Sequence, residues 1–114
     1  MLQDNIFKKI IDRQIPAKIV YEDDLCLAFH DVNAQAPVHV LIIPKKVIRT
    51  HADIAEEDGE LLGHLHLVAV RLAEQLGIAD GYRLVVNCKE RAGQTVPHLH
   101  MHLLGGRDFH WPPG

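Results

Sequence analysis

The sequence has few of the features that mark membrane, secreted or nucleic-acid-binding proteins. Its only two cysteines, Cys26 and Cys88, form no CxxC pair, so neither a disulfide framework nor a zinc ribbon is predicted. Its hydrophobic runs are too short to span a bilayer, and the N-terminus lacks the apolar stretch of a signal peptide. A net charge of −3 argues against binding of nucleic acid or of an anionic membrane. We therefore expect a cytoplasmic protein.

Histidine is the residue in excess. There are nine in 114 residues, and histidine is the side chain used most often in acid–base, nucleophilic and metal chemistry. The length and a hydrophobic fraction of 47% indicate one globular domain over residues 1–114. The histidines are therefore the first place to search for a function.

The hydrophobic pattern predicts an α+β fold with one long helix and about five strands. Apolar residues recur at helical spacing over residues 57–76, and Gly77 is suited to end that helix. A short N-terminal helix is expected to reach residue 11, with Asp4 as its N-cap. Strands are predicted at 18–22, 25–31, 38–43, 82–88 and 97–104. The sheet is expected to be antiparallel, and an exposed edge on so small a domain favours dimerisation.

Three histidines, His98, His100 and His102, alternate with apolar residues in the last predicted strand. Side chains on a strand alternate between faces, so the three imidazoles are predicted to share one face, and the apolar residues to pack under the long helix. A neutral imidazole can attack phosphorus and form a covalent intermediate, while flanking imidazoles fix its tautomer, bind phosphate oxygens and move protons. His100 is the central ring and therefore the predicted nucleophile.

Two other interpretations of this segment stay open from the residues alone. It could be a polar sheet face that happens to use histidine. It could also hold a metal, with an adjacent pair such as His98 and His100 as ligands and His39 as a further donor. All three strand histidines could barely converge on one ion, because the Cα atoms of His98 and His102 would lie roughly 13 Å apart on a straight strand.

The residues before this strand are suited to binding an anion. A Gly-containing turn at Gly93 and Gln94 can present backbone N–H groups to a phosphate, and Thr95 adds a hydroxyl donor. The same residues are also typical of a plain hairpin loop.

The pattern His-φ-His-φ-His-φ-φ at residues 98–104, where φ is apolar, resembles the signature of the histidine triad (HIT) superfamily. Residues 103–107 and the C-terminal 111–114 are similar to its histidine triad nucleotide-binding (Hint) branch. A histidine at position 102 speaks against the nucleotidyltransferase branch, which has glutamine there. Further segments resemble successive blocks of the family and extend the likeness over nearly the whole chain: 7–24, 28–32, 36–45 and 81–87.

The resemblance implies a homodimer in which the two sheets join into one. It implies hydrolysis of the P–N bond of purine nucleoside phosphoramidates, such as an AMP–amine or AMP–lysine, through a nucleotidyl intermediate on His100. No metal and no cofactor are implied. The related dinucleotide polyphosphate hydrolases, which cleave P–O–P bonds, are an alternative, and so is a non-catalytic regulatory protein that binds purine nucleotides.

The resemblance also implies roles for individual residues. Asp31 would accept hydrogen bonds from the ribose, His39 would support the triad, and Trp111 would reach toward the active site of the partner subunit. From the residues alone, Asp31 could also be a turn residue, and a histidine at position 39 is more often a satisfied core residue. The purine pocket would be formed by Ile6, Phe7, Ile10, Phe29, His30, Val32 and Leu41. The phosphate would be contacted by Asn87, Gly93, Gln94, Thr95 and His102.

Overall fold

The computed structural model describes residues 5–114, so the predicted cap Asp4 lies outside the described residues. The described part of the chain contains two α-helices and five strands. The helices are α1 (Ile6–Ile11) and α2 (Gly59–Gln75). The strands are β1 (Ile19–Glu22), β2 (Cys26–His30), β3 (Val38–Pro44), β4 (Tyr82–Val85) and β5 (Met101–Gly105).

The five strands form one antiparallel sheet in the order β1-β2-β3-β5-β4. The last strand therefore lies between β3 and β4, and β4 is at an edge. The predicted α+β class, with a five-stranded antiparallel sheet, one long helix and a short N-terminal helix, is confirmed.

The sheet separates two hydrophobic clusters, because strand side chains alternate between its faces. Strand β3 shows the division: Val40 and Ile42 pack with α2, whereas Leu41 and Ile43 pack with α1. The prediction that apolar residues of the last strand lie under the long helix is confirmed for Met101 and Leu103. We call the second group the α1-side cluster; its buried members are Phe7, Ile10, Leu27, Phe29, Leu41, Ile43 and Val96.

The predicted end of the long helix is confirmed, and its predicted start is two residues early. Gly77 has a φ of 74°, a left-handed conformation that favours glycine. Its N–H bonds to the Glu74 carbonyl, and the N–H of Ile78 bonds to that of Ala73, which is a Schellman motif. At the other end, Glu56–Asp58 forms a separate 3₁₀ turn before α2.

Two predicted strands are shorter than expected, and the reason is hydrogen bonding. The last strand begins at Met101 instead of 97, because Pro97 has no N–H and the N–H of Leu99 donates to the Ile48 carbonyl at 2.6 Å. The strand predicted at 82–88 ends at Val85, which pairs with His102 near the start of β5. The prediction that all three histidines lie on one strand was therefore wrong, since only His102 is part of β5.

Neither described helix combines the length and the hydrophobicity needed to cross a membrane.

We expect Gly105→Ala to destabilise the protein. A Cβ at this position would meet three side-chain atoms of Ile78 at 2.6 to 2.9 Å, and Ile78 is only 3% exposed. Overpacking of this kind costs about 1–3 kcal/mol of unfolding free energy, measurable by urea denaturation. Gly59→Ala is the matched control: a Cβ there has no neighbour within 4 Å, so the same measurement should show no loss. Equal losses in both variants would contradict the packing argument.

Candidate active site

Four histidines lie together on the α1 side of the sheet. His39 comes from β3, His102 from β5, and His98 and His100 from the irregular segment just before β5. The ring centroids of His39 and His100 are 5.2 and 5.1 Å from that of His102. Phe7 of α1 meets His100 edge-on at 4.9 Å and His98 at 6.4 Å. The predicted grouping of the histidines therefore exists, although a bend in the chain produces it and not a regular strand.

Hydrogen bonds to the backbone fix the tautomer of His39. The N–H of Gln35 donates to His39 Nδ1 at 3.0 Å, so this nitrogen carries a lone pair. The ring proton is then on Nε2, which donates to His102 Nδ1 at 2.9 Å. It follows that neutral His102 carries its own proton on Nε2.

The tautomer of His100 is fixed in the same way. Its Nδ1 lies 2.7 Å from the carbonyl oxygen of His98, and a carbonyl only accepts hydrogen bonds. Nδ1 therefore holds the proton, and Nε2 holds the lone pair. Within the described residues, no side-chain nitrogen or oxygen is buried without a hydrogen-bond partner. The Nε2 atoms of His100 and His102 have no hydrogen-bond partner among the described residues, so each is at least partly accessible to solvent.

The ring of His98 is enclosed. It is fully buried, its Nε2 donates to the Pro44 carbonyl at 2.7 Å, and its Nδ1 lies 3.0 Å from the side-chain nitrogen of Asn5. Sequence reasoning missed Asn5, because the N-cap of α1 was assigned to its neighbour. The signal that could have found it is that asparagine is itself a strong N-cap residue.

Burial keeps the four rings neutral. It lowers the pKa of His39, His98 and His100, and it lowers the pKa of His102 to about 4, with the charges of His100 and His39 acting in the same direction. The nearby carboxylate of Asp31 opposes these shifts at His39, His100 and His102. At pH 7 the His100 lone pair is therefore available for attack on an electrophile.

Asp31 forms the turn expected of it, and its carboxylate also lies beside the histidine cluster. Its Oδ1 accepts the N–H of Asn33 at 2.8 Å, which is a turn, and its Oδ2 lies 3.4 Å from His39 Nε2. The ligand atoms of Asp31, His39 and His102 lie within 4.8 Å of one another, a spacing that could hold a metal ion. A metal there would have to displace the hydrogen bond between the two rings, so the geometry favours a hydrogen-bonded cluster.

Comparison with known proteins gives the family. Residues 12–109 match the HIT domain. The chain belongs to the HIT family. It is 62% identical over its full length to an uncharacterized HIT-like protein of Synechocystis sp., and the match covers all of both chains. It superposes on a HIT family hydrolase from Legionella pneumophila with a TM-score of 0.94 and 50% identity, covering 96% of this chain and 98% of that one. A histidine triad nucleotide-binding protein from Candida albicans gives a TM-score of 0.80 and 30% identity, covering 94% and 82%.

Most residues expected to line the purine pocket of this HIT domain are core residues. Phe7, Ile10, Phe29 and Leu41 belong to the buried α1-side cluster, and Phe7 contacts His98 and His100. The structure leaves the other three on the surface: Ile6, His30 and Val32. Any contact of a ligand with the first group would therefore involve side chains that also stabilise the fold.

The loop before the triad is held by Gln94. This side chain is 3% exposed; its oxygen accepts the N–H of Lys89, and its nitrogen donates to the carbonyls of Arg49 and Val96. Its amide is thus fully used inside the HIT domain. Gly93 has a φ of 93°, a conformation that favours glycine, and Thr95 is exposed. Asn87 is half-buried after β4.

The C-terminal segment holds Trp111 away from the packed core. Its side chain is 84% exposed. The tail is attached through Phe109, whose ring lies 5.0 Å from the guanidinium of Arg83 and 4.3 Å from that of Arg107. Arg83 also donates to the backbone carbonyl of His110. Trp111 is therefore free to contact another molecule.

The lowered histidine pKa values predict a loss of stability in weak acid. The unfolded chain takes up protons near pH 6.5, whereas folded His102 takes up its proton only near pH 4. Its contribution is therefore fully present above pH 6.5 and falls as the pH drops toward 4, by about 3 kcal/mol in total. Urea unfolding at half-unit steps from pH 7.5 to 4.5 measures this.

Between pH 6.5 and 5 a change in the unfolding free energy reports on the histidines, because carboxylates take up protons at lower pH. In that interval His102→Asn should show a shallower fall of the unfolding free energy than the wild type. An unfolding free energy that stays constant in the wild type from pH 6.5 to 5 would contradict the assignment of buried neutral rings.

Proposed function

We propose that this protein is a Hint-type hydrolase that cleaves the P–N bond of purine nucleoside phosphoramidates. One observation carries the proposal: the Nδ1 proton of His100 is bonded to a backbone carbonyl, so its Nε2 keeps a lone pair within a cluster of neutral rings. Two of the similar structures support it: one is a HIT family hydrolase, and the other is a histidine triad nucleotide-binding protein.

In the first step, Nε2 of His100 attacks the α-phosphorus of an AMP–amine. An N–P bond forms, the P–N bond to the amine breaks, and the amine leaves with the bonding pair and takes up one proton from the solvent. His102 can donate its Nε2 proton in a hydrogen bond to a phosphoryl oxygen, because its Nδ1 is already occupied by His39. The product is a nucleotidyl-histidine and a free amine.

In the second step, water attacks the phosphorus and the bond to His100 breaks. Water gives up one proton, which balances the proton that the amine took up, and AMP leaves. The lowered pKa of His100 suits both steps, because the ring must be neutral to attack and must return to the neutral state. This chemistry uses no cofactor and no metal.

The substrate would lie across the open side of the histidine cluster. The two oxygens of the Asp31 carboxylate can accept ribose hydroxyls, and the exposed Thr95 hydroxyl can donate to the phosphate. Gln94 supports this contact by holding the loop, since its own side chain is fully engaged. The exposed Val32, beside Asp31, would cover one face of the nucleoside.

We expect His100→Ala to abolish turnover of an adenosine phosphoramidate, by at least about 10³-fold, while AMP binding is kept within a few-fold. His66→Ala is the matched control, since His66 is an exposed histidine on α2 and should leave turnover unchanged. Mass spectrometry of the quenched wild-type enzyme should find an adenylylated peptide that contains His100.

The same pair of variants tests the alternatives. Unchanged turnover in His100→Ala would overturn the nucleophile, and wild-type protein that binds AMP without turnover would indicate a regulatory protein. Faster cleavage of diadenosine triphosphate than of the phosphoramidate would indicate a dinucleotide polyphosphate hydrolase.

A homodimer is part of this proposal. On α2, Leu67 and Val70 are 57% and 52% exposed, three residues apart on one face. Strand β4, which follows α2 in the chain, lies at an edge of the sheet, and its Tyr82 is 36% exposed. Joining β4 to its copy would continue the sheet and bring an exposed Trp111 near a second chain.

Val70→Glu should convert the dimer to a monomer, because a carboxylate would be buried in an apolar contact. Size-exclusion chromatography with light scattering measures the mass. Val47→Glu is the control, since Val47 is 46% exposed outside α2 and its replacement should leave the dimer intact. A monomeric wild type would contradict this part of the proposal.

A further inference from the structure

The enclosed ring of His98 cannot contact a substrate, yet its backbone carbonyl holds the proposed nucleophile. Both ring nitrogens have partners, Pro44 and Asn5, and the ring is fully buried. Its own carbonyl oxygen accepts the Nδ1 proton of His100 at 2.7 Å. Whatever fixes the ring of His98 therefore also fixes the atom that orients His100.

The side-chain amide of Asn5 has only one possible orientation. Its Oδ1 accepts the N–H of Lys8 at 3.0 Å and so caps α1. Because a backbone N–H can only donate, the other end of the amide, Nδ2, is the end that faces His98 Nδ1 at 3.0 Å. An amide NH₂ group is a donor, so His98 Nδ1 must be an acceptor there.

The opposite side of the ring requires the same tautomer. The Pro44 carbonyl accepts a hydrogen bond from His98 Nε2, so the single proton of the neutral ring is on Nε2. Asn5 on α1 and Pro44 on β3 thus hold one ring between them in one protonation state. A doubly protonated ring would keep its bond to the Pro44 carbonyl, but it would set its Nδ1–H against the NH₂ group of Asn5.

We propose that Asn5 is a positioning residue for the nucleophile: its amide holds His98 as the neutral Nε2–H tautomer and so fixes the carbonyl that orients His100. The role of Asn5 in activity depends on the proposed hydrolase function. The tautomer itself does not.

The choice of asparagine over aspartate is the informative feature. Aspartate is an equally good N-cap, so capping alone does not require the amide. A carboxylate at this position would attract a second proton onto His98 Nδ1. Burial lowers the pKa of His98, the titratable groups His100 and Lys8 act in the same direction, and the hydrogen bond to the Pro44 carbonyl raises it. To these effects Asn5 adds an N–H donor in a fixed position, which disfavours a proton on His98 Nδ1.

Asn5→Asp is the sharpest test, because it keeps the shape and the cap and replaces the donor by a charged acceptor. Long-range ¹H–¹⁵N spectra of the full chain with ¹⁵N-labelled histidine report each ring's protonation state. At pH 7 the wild type should show His98 protonated on Nε2 alone. In Asn5→Asp we expect His98 to be protonated on both nitrogens. Wild-type spectra from Asn5→Asp would overturn the proposal.

Asn5→Ser is the second variant, since serine also caps a helix but is too short to reach the ring. We expect kcat for an adenosine phosphoramidate to fall about tenfold, with KM within about twofold, because the carbonyl that orients His100 is no longer held. In Asn5→Asp the acid limb of the kcat/KM profile should move to higher pH. Gln14→Glu, an exposed change of the same charge just after α1, should change neither the profile nor the spectra.

The two readouts separate this proposal from the proposed function. If the spectra change as expected and the wild type cleaves no phosphoramidate, the function is wrong and the tautomer assignment stands. If the spectra change but kcat and its pH profile do not, Asn5 is not a positioning residue.

Discussion

The site depends on hydrogen bonds between histidine rings and the backbone. A histidine ring in solution exchanges its proton between two nitrogens, but a backbone N–H only donates and a carbonyl only accepts. Here the N–H of Gln35 and the carbonyls of Pro44 and His98 each meet one ring nitrogen. Because backbone groups have no protonation states, they assign the protons of three rings, and the fourth, His102, follows from its bond to His39.

The carbonyl of His98 is available because the chain leaves the sheet before β5. In a regular strand the carbonyl of His98 would accept a hydrogen bond from a neighbouring strand. Pro97 lacks a donor, and Leu99 bonds to Ile48 instead, so this carbonyl is left for the His100 ring. The same bend buries His98 against Phe7, which places a polar ring in the α1-side cluster. Burial of such a ring is tolerable only because both its nitrogens are bonded.

Much of the fold could be predicted from the sequence, since it rests on periodicity. The repeat of apolar residues gave α2, and Gly77 gave its end, because only a left-handed residue closes a Schellman motif easily. Strand ends were predicted less well, because an end depends on whether a partner is present. Val85, opposite His102, is the last residue of β4 that pairs with β5, and no local property of residues 86–88 indicates this end.

The sequence predicts which residues form the site, but it does not predict how they are arranged. Alternation on one strand suggested that three histidines meet, and they do, but His98 faces inward and is held by Asn5, 93 residues away in the chain. The bonds to Pro44 and between His39 and His102 span 54 and 63 residues. Contacts of this kind depend on the packing of α1 and β3 around the bend, which no local pattern encodes.

The two sides of the sheet have different tasks, and this explains why a helix of six residues matters. On the α2 side the cluster is apolar, and its packing serves stability alone. On the other side α1 contributes Phe7 to the wall behind the triad, and the residue that caps it, Asn5, bonds to His98. A helix this short is marginal alone, so it depends on the packing of Phe7 and Ile10 in the α1-side cluster and on the contacts of Phe7 with the rings. Stability of the N-terminal helix and the protonation state of the triad are therefore coupled through one amide side chain.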